Sequence, residues 1–126
     1  MPKSDRFPET FAAIRGMLQA HAKGMKVTVD EPGHYQLSSP TMTDRTGRPL
    51  FFASVQIKKT YVSYHLIPLY IDKALRESMS PSLRKRMQGL SCLNFTAIEP
   101  EQLRELAAIT KKAIAGFKNL DLPWAK

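Results

Sequence analysis

His65 is the side chain in this sequence best suited to proton chemistry, because an imidazole titrates near neutral pH. It stands in the run Tyr61-Val62-Ser63-Tyr64-His65-Leu66. Strand alternation puts Tyr61, Ser63 and His65 on one face of that run. Further on, Cys92-Leu93-Asn94-Phe95 alternates in the same way, so Cys92 and Asn94 share a face. If the two segments pair, these five residues form one polar group. Such a group suits a small polar ligand or a proton transfer. The competing reading is a partly buried histidine, hydrogen-bonded within the sheet. No carboxylate stands at a spacing that would orient the imidazole, so a hydrolytic triad has little support. Cys92 is a nucleophile only if His65 lies beside it. Flanked by Leu93 and Phe95, it also reads as a small buried hydrophobe. No catalytic site is evident, and whether the chain is an enzyme stays open.

The other chemistries have weaker signals. His21, His34, His65 and Cys92 are scattered, and no pair has zinc-like spacing. There is no glycine-rich phosphate loop and no dinucleotide fingerprint. No metal or cofactor is expected. The basic residues are more suggestive. Lys plus Arg total 19 against 11 Asp plus Glu, a net charge of +8, which favours anionic partners. Lys58 and Lys59 form one basic pair at a turn, and Arg84-Lys85-Arg86 forms a basic run in a short helix. Together they could hold phosphates, or they are a solvated surface. The aromatic and basic interleaving of a single-strand platform is missing, and Phe51-Phe52 is assigned to the core.

These groups need elements to position them. Phe7, Phe11, Ile14 and Leu18 recur with helical spacing, Pro8 suits the first turn, and Gly24 is placed to end the helix. Met25, Val27 and Val29 alternate with polar residues as a strand. Glu31-Pro32-Gly33 is a turn, and Tyr35 and Leu37 mark the returning strand of a hairpin. The segment 39–49 is polar, with Pro40, Gly47 and Pro49, and reads as a mobile loop. Leu50 to Ile57 is a third strand, with Ala53, Val55 and Ile57 on one face and Phe52, Ser54 and Gln56 on the other. Tyr61 to Ile67 is a fourth, ended by Pro68.

A short helix is expected over Asp72 to Ser78. Another is capped by Ser80, opened by Pro81 and ended at Gly89. Cys92 to Thr96 is a fifth strand. Pro100 opens a long helix with Leu103, Leu106, Ile109, Ala113 and Phe117 on one face. Glu99, Glu101 and Glu105 sit near its start, and Lys111, Lys112 and Lys118 near its end, as its dipole favours. The tail Leu120 to Trp124 either docks or frays. The pattern predicts an α+β two-layer sandwich: a mostly antiparallel five-stranded sheet packed against N- and C-terminal helices.

The length of 126 residues suggests one domain over 1–126. Such a domain buries roughly two thirds of its unfolded surface and needs no staple. The lone cysteine fits a reducing cytosol. The start of the chain is polar, so no signal peptide is expected. No apolar run approaches the roughly 20 residues of a membrane span. A cytoplasmic protein without a membrane partner is the expectation.

Several of these motifs coincide with one family. Tyr61-Val62-Ser63-Tyr64-His65-Leu66, Pro68-Leu69-Tyr70, Ser80-Pro81-Ser82-Leu83 and Gly89-Leu90-Ser91-Cys92-Leu93-Asn94-Phe95 resemble the YdhG-like family of small bacterial domains of unknown function. The resemblance covers about half the chain and rests on structural landmarks. It implies an α+β fold akin to that of secretion chaperones. It implies little about function; the open sheet face around Tyr61, Ser63, His65 and Asn94 is what suggests a non-enzymatic binding or chaperone-like domain that receives a peptide, a protein partner or a small ligand. One member of the wider family is described as a frataxin-like iron chaperone. Such a role leans on exposed carboxylates, and no dense acidic cluster occurs here. In the family pattern the residue after Gly89 is commonly lysine, whereas here it is Leu90.

Overall fold

The computed structural model describes residues 6–117. In chain order they form α1 (Phe7–Ala20), β1 (Lys26–Glu31), β2 (His34–Thr43), β3 (Pro49–Ile57), β4 (Val62–Leu66), α2 (Ile67–Ile71), α3 (Lys73–Glu77), α4 (Pro81–Arg84), β5 (Met87–Gln88), β6 (Cys92–Phe95) and α5 (Pro100–Phe117). Lys118 and the tail from Leu120 to Trp124 lie outside the described residues. The strands make one six-stranded sheet in the order β1-β2-β3-β4-β6-β5. Every neighbouring pair is antiparallel. The fold is α+β, as expected, with a sixth strand that the sequence pattern did not show.

One face of the sheet is apolar, and α1 and α5 lie together against it. Tyr35 and Leu37 of β2, Ala53 and Val55 of β3, Val62, Tyr64 and Leu66 of β4, and Leu93 and Phe95 of β6 are all buried. From the helices, Phe7, Phe11, Ile14 and Leu18 meet Leu106, Ile109, Ala113 and Phe117 in the same core. Leu103 is only partly buried. Gln102 and Thr110 occupy buried positions on α5 instead. Two contacts tie the layers together. The Phe52 and Phe117 rings lie 4.9 Å apart. The Tyr64 hydroxyl and Thr110 Oγ1 are 2.6 Å apart in the core.

The departures from the expected pattern have local causes. Helix α1 stops at Ala20, where the His21 amide bonds back to the Leu18 carbonyl. Gly24 lies beyond that end and turns the chain into β1 at φ +80°. An irregularity between Val27 and Val29 admits Thr28 as an extra residue in β1. Strict alternation fails there, and Val27 stays 45% exposed.

A second irregularity adds Phe52 to β3 between the pairs Leu37–Ala53 and Ser38–Phe51. It turns Phe52 into the core beside Ala53, although strict alternation assigns it to the face of Ser54 and Gln56. Phe51 stays on the other face, against the His65 ring at 4.8 Å between centroids. The assignment of both phenylalanines to the core therefore holds for Phe52 alone.

The segment read as a loop from 39 to 49 is mostly strand. β2 runs to Thr43 and β3 starts at Pro49. Ser39 Oγ accepts from the amides of Thr41 and Met42, which holds the extra residues of β2 in place. The turn proper is organised by Asp44. Its Oδ1 accepts from Thr46 and from the Arg48 amide. Those bonds, the Thr46 hydroxyl first, hold the Asp44 carboxyl below its usual range.

The short helices differ too. α2 occupies residues assigned to the end of β4 and its exit, with Pro68 in its first turn. The helix after Ser80 ends at Arg84 and does not reach Gly89. The Asn94 amide bonds to the Arg86 carbonyl at 2.8 Å, which draws the chain into β5. Gly89, at φ +75°, then turns β5 into β6. Among the described residues, no helix is long and apolar enough to cross a membrane.

Candidate functional site

The face of the sheet opposite the helices is polar, and strand register arranges it in rows. One row runs His34, Gln56, Ser63 and Asn94 across β2, β3, β4 and β6. The next runs Gln36, Ser54, His65, Cys92 and Gln88 across β2 to β5. The strands thus bring together the residues singled out from sequence. Ser63 pairs with Asn94, and His65 pairs with Cys92. Directly paired side chains stand about 5 Å apart at Cβ. Tyr61 lies just before β4, where its carbonyl accepts from the Lys58 amide and closes the β3–β4 turn.

Each imidazole contact is specific. His65 Nε2 is 2.9 Å from Ser91 Oγ. Phe51 packs against the ring. Burial lowers the His65 pKa below its ordinary value, so the ring is neutral at pH 7. A neutral ring offers one acceptor and one donor nitrogen. The hydroxyl partner of His65 is therefore Ser91, and Cys92 sits alongside as a half-buried free thiol. No carboxylate is seen to contact the ring among the described residues.

The two ends of the polar face differ in how well they are satisfied. Toward β1, Gln36 Nε2 donates to Thr28 Oγ1 at 3.1 Å, and Thr28 Oγ1 lies 3.0 Å from Ser38 Oγ. Toward β6, Asn94 Oδ1 is buried with no hydrogen-bond partner among the described residues. A buried, unpaired amide oxygen is unusual in a folded protein and costs about 1–3 kcal/mol. The Asn94 oxygen is closed to solvent, so an arriving N–H or O–H donor reaches it only when neighbouring side chains move aside.

The basic residues collect at one end of the same sheet. Lys58 and Lys59 occupy the β3–β4 turn, and Arg86 enters β5 opposite Asn94. Lys58, Lys59, Arg84, Lys85 and Arg86 are all exposed. None of them is in an ion pair among the described residues. Arg84 closes α4, whose N-cap is held from α5. The Ser80 amide and Oγ both donate to the Glu105 carboxylate at 2.6 Å. Among the described residues, no three His, Cys, Asp or Glu side chains converge as a metal site would need.

Sequence reasoning missed Ser91, Gln36, Ser54 and Gln56 as members of this face. Ser54 and Gln56 were visible as alternating polar residues on β3. Ser91 becomes visible only once the register of β4 on β6 is known. No family model, curated protein or solved structure matches this chain.

Proposed function

We propose that this chain is a non-enzymatic, chaperone-like binding domain that receives an extended peptide on its polar sheet face, centred on Ser63, His65 and Asn94. The observation that carries this reading is Asn94 Oδ1, buried and without a hydrogen-bond partner among the described residues. Peptide N–H groups are the donors it lacks. The flanking Gln56, Ser63 and His65 supply further donors and acceptors in two rows at strand spacing. A YdhG-like affiliation and a cytoplasmic, bacterial setting belong to the same proposal. They rest on the motifs in β4, at the α4 cap and in β6. Iron binding is the weakest alternative, since it would need converging carboxylates.

The test is an NMR titration of the isotope-labelled protein with a pool of random octapeptides. Shifts are expected at Ser63, His65, Cys92 and Asn94, including the Asn94 side-chain amide. They should vanish in a folded Asn94→Ala variant. Shifts that persist unchanged in that variant, or that map elsewhere, place the binding site off this face.

A second reading is supported by the exposed cations Lys58, Lys59, Arg84, Lys85 and Arg86. With no carboxylate partner among the described residues, they suit a weak phosphate or nucleic-acid ligand.

A further inference from the structure

Strand β1 forms one edge of the sheet. β2 bonds it on one side, and among the described residues no strand lies on the other. The opposite edge, β5, is two residues long, whereas β1 runs for six, Lys26–Glu31. The backbone groups of β1 that point away from β2 are a ladder open to a further strand. Val27 stands on this edge 45% exposed. A lysine and a bulge commonly guard such an edge against chance pairing. β1 has both, and their arrangement suits one particular partner.

Pairing with β2 fixes the face of each residue. Val27 lies opposite the buried Leu37 and Asp30 opposite the buried Tyr35, so both stand on the helical side. Arg15 of α1 bonds Asp30 there at 2.8 Å. Lys26 lies opposite Ser38, Val29 opposite Gln36 and Glu31 opposite His34, all on the polar side. The Thr28 hydroxyl bonds Ser38 and Gln36, so Thr28 belongs to the polar side as well. Without the bulge, strict alternation would put Lys26 and Glu31 on opposite faces. With it, the strand reads polar, helical, polar, polar, helical, polar, the same in either direction. A two-fold contact between identical surfaces demands that symmetry.

The charges follow the same symmetry. Turned antiparallel about a two-fold axis between Thr28 and Val29, two β1 strands place Lys26 opposite Glu31, Val27 opposite Asp30 and Thr28 opposite Val29. Each of these pairs shares a face. Lys26 and Glu31 are exposed and in no ion pair among the described residues, so each gains a partner of opposite sign. A shift of one or two residues sets a polar-side residue against a helical-side one. Parallel pairing sets like charges side by side. Within β1 and the adjoining Arg15 the charges cancel, and the basic residues of the β3–β4 turn and α4 lie beyond β3, away from the contact.

We infer that two copies of this chain pair through β1, antiparallel about that two-fold axis, with Lys26 of each opposite Glu31 of the other. The two sheets join edge to edge, with the helices of both copies on one side and both polar faces on the other. Six residues a side make a small interface, so the dimer is a weak one, in the micromolar range or above.

Sedimentation equilibrium of the full chain, from micromolar to millimolar concentration, tests the idea. The mass should rise from one chain to two and stop there, because the contact closes on itself. Amide exchange in β1 should slow over the same range. Lys26→Glu should weaken the dimer about tenfold, since two symmetric pairs turn from attraction to repulsion. Adding Glu31→Lys to that variant should restore it. Both side chains are exposed, so the Tm of each variant should stay near that of the parent. Four results overturn the proposal: a single chain at every concentration, assembly past two chains, a dimer indifferent to Lys26→Glu, or a charge-swapped double variant no tighter than the single one.

Discussion

Asn94 sets up a conflict between stability and binding that a single substitution resolves. Its Oδ1 is buried without a donor among the described residues, an arrangement that destabilises the free protein. Valine fits a half-buried strand position and carries no polar atom. Asn94→Val should therefore raise unfolding stability by about 1 kcal/mol in urea titration while removing peptide binding. A loss of stability would mean that Asn94 has a partner and that the orphan is not the centre of a site. His65 adds a pH signature. Its folded pKa lies below the unfolded value because burial disfavours the charged ring. The unfolded state then binds more protons as the pH falls through about 6.5, and stability drops on the acid side. The contribution is complete above that pH and lost below it. Tm measured from pH 8 to pH 5 should fall, and His65→Gln should flatten part of that fall. An identical profile in the variant would remove His65 as its source.

Elements explain both what could be read in advance and what could not. Helices α1 and α5 were legible because each presents its apolar residues at helical spacing over several turns. The β4 pattern was legible because Val62, Tyr64 and Leu66 alternate without interruption and are all fully buried. β1 and β3 were read less well, because single inserted residues shift the alternation at Thr28 and Phe52. A bulge leaves no composition signal in one sequence, since it depends on which strand lies opposite. β5 was missed for a related reason. Two residues carry no periodicity, and the strand exists because β6 is beside it. The grouping of Ser63, His65, Cys92 and Asn94 was legible as a conditional, resting on β4 pairing with β6. Ser91 and the orphaned oxygen were not, because both depend on side-chain geometry.

The element scale also carries a prediction. Tyr64 and Thr110 form a side-chain bond that crosses from the sheet to α5 inside the core, and both are fully buried. Burial pushes the Tyr64 phenol well above its usual pKa, so it stays protonated. Tyr64→Phe leaves the Thr110 hydroxyl without that partner and should cost about 1–3 kcal/mol. Tyr64→Phe with Thr110→Val removes both polar groups and should recover part of that loss. Additive costs in the double-mutant cycle would show that the two hydroxyls do not couple.

At the scale of the whole molecule, the net charge of +8 is not spread evenly over the fold. The antiparallel register sends the β3–β4 turn, the end of β6 and the entry of β5 to one end of the sheet. Lys58 and Lys59 stand there on the turn, with Arg86 two strands away, about 10 Å across the sheet. Arg84 and Lys85 extend the patch along the end of α4. The β1–β2 turn, with Asp30 and Glu31, reaches the same end of the sheet, so the cationic patch is confined to the β4–β5 side. Such a patch attracts polyanions whatever their sequence. If all five cations meet phosphates of a single-stranded oligonucleotide, log affinity should fall against log salt with a slope of about −3.5. Reversing Lys58 and Lys59 to glutamate should reduce the steepness by about 1.4 while the peptide titration of the polar face stays unchanged. Affinity independent of salt, or no binding at low salt, would leave these residues as a solvated surface. A steep slope that survives the reversal would put the polyanion elsewhere on this basic chain. Loss of oligonucleotide and peptide binding together would mean that one ligand spans both the basic end and the polar face, with Asn94 and Arg86, neighbours across β6 and β5, as the joint between them.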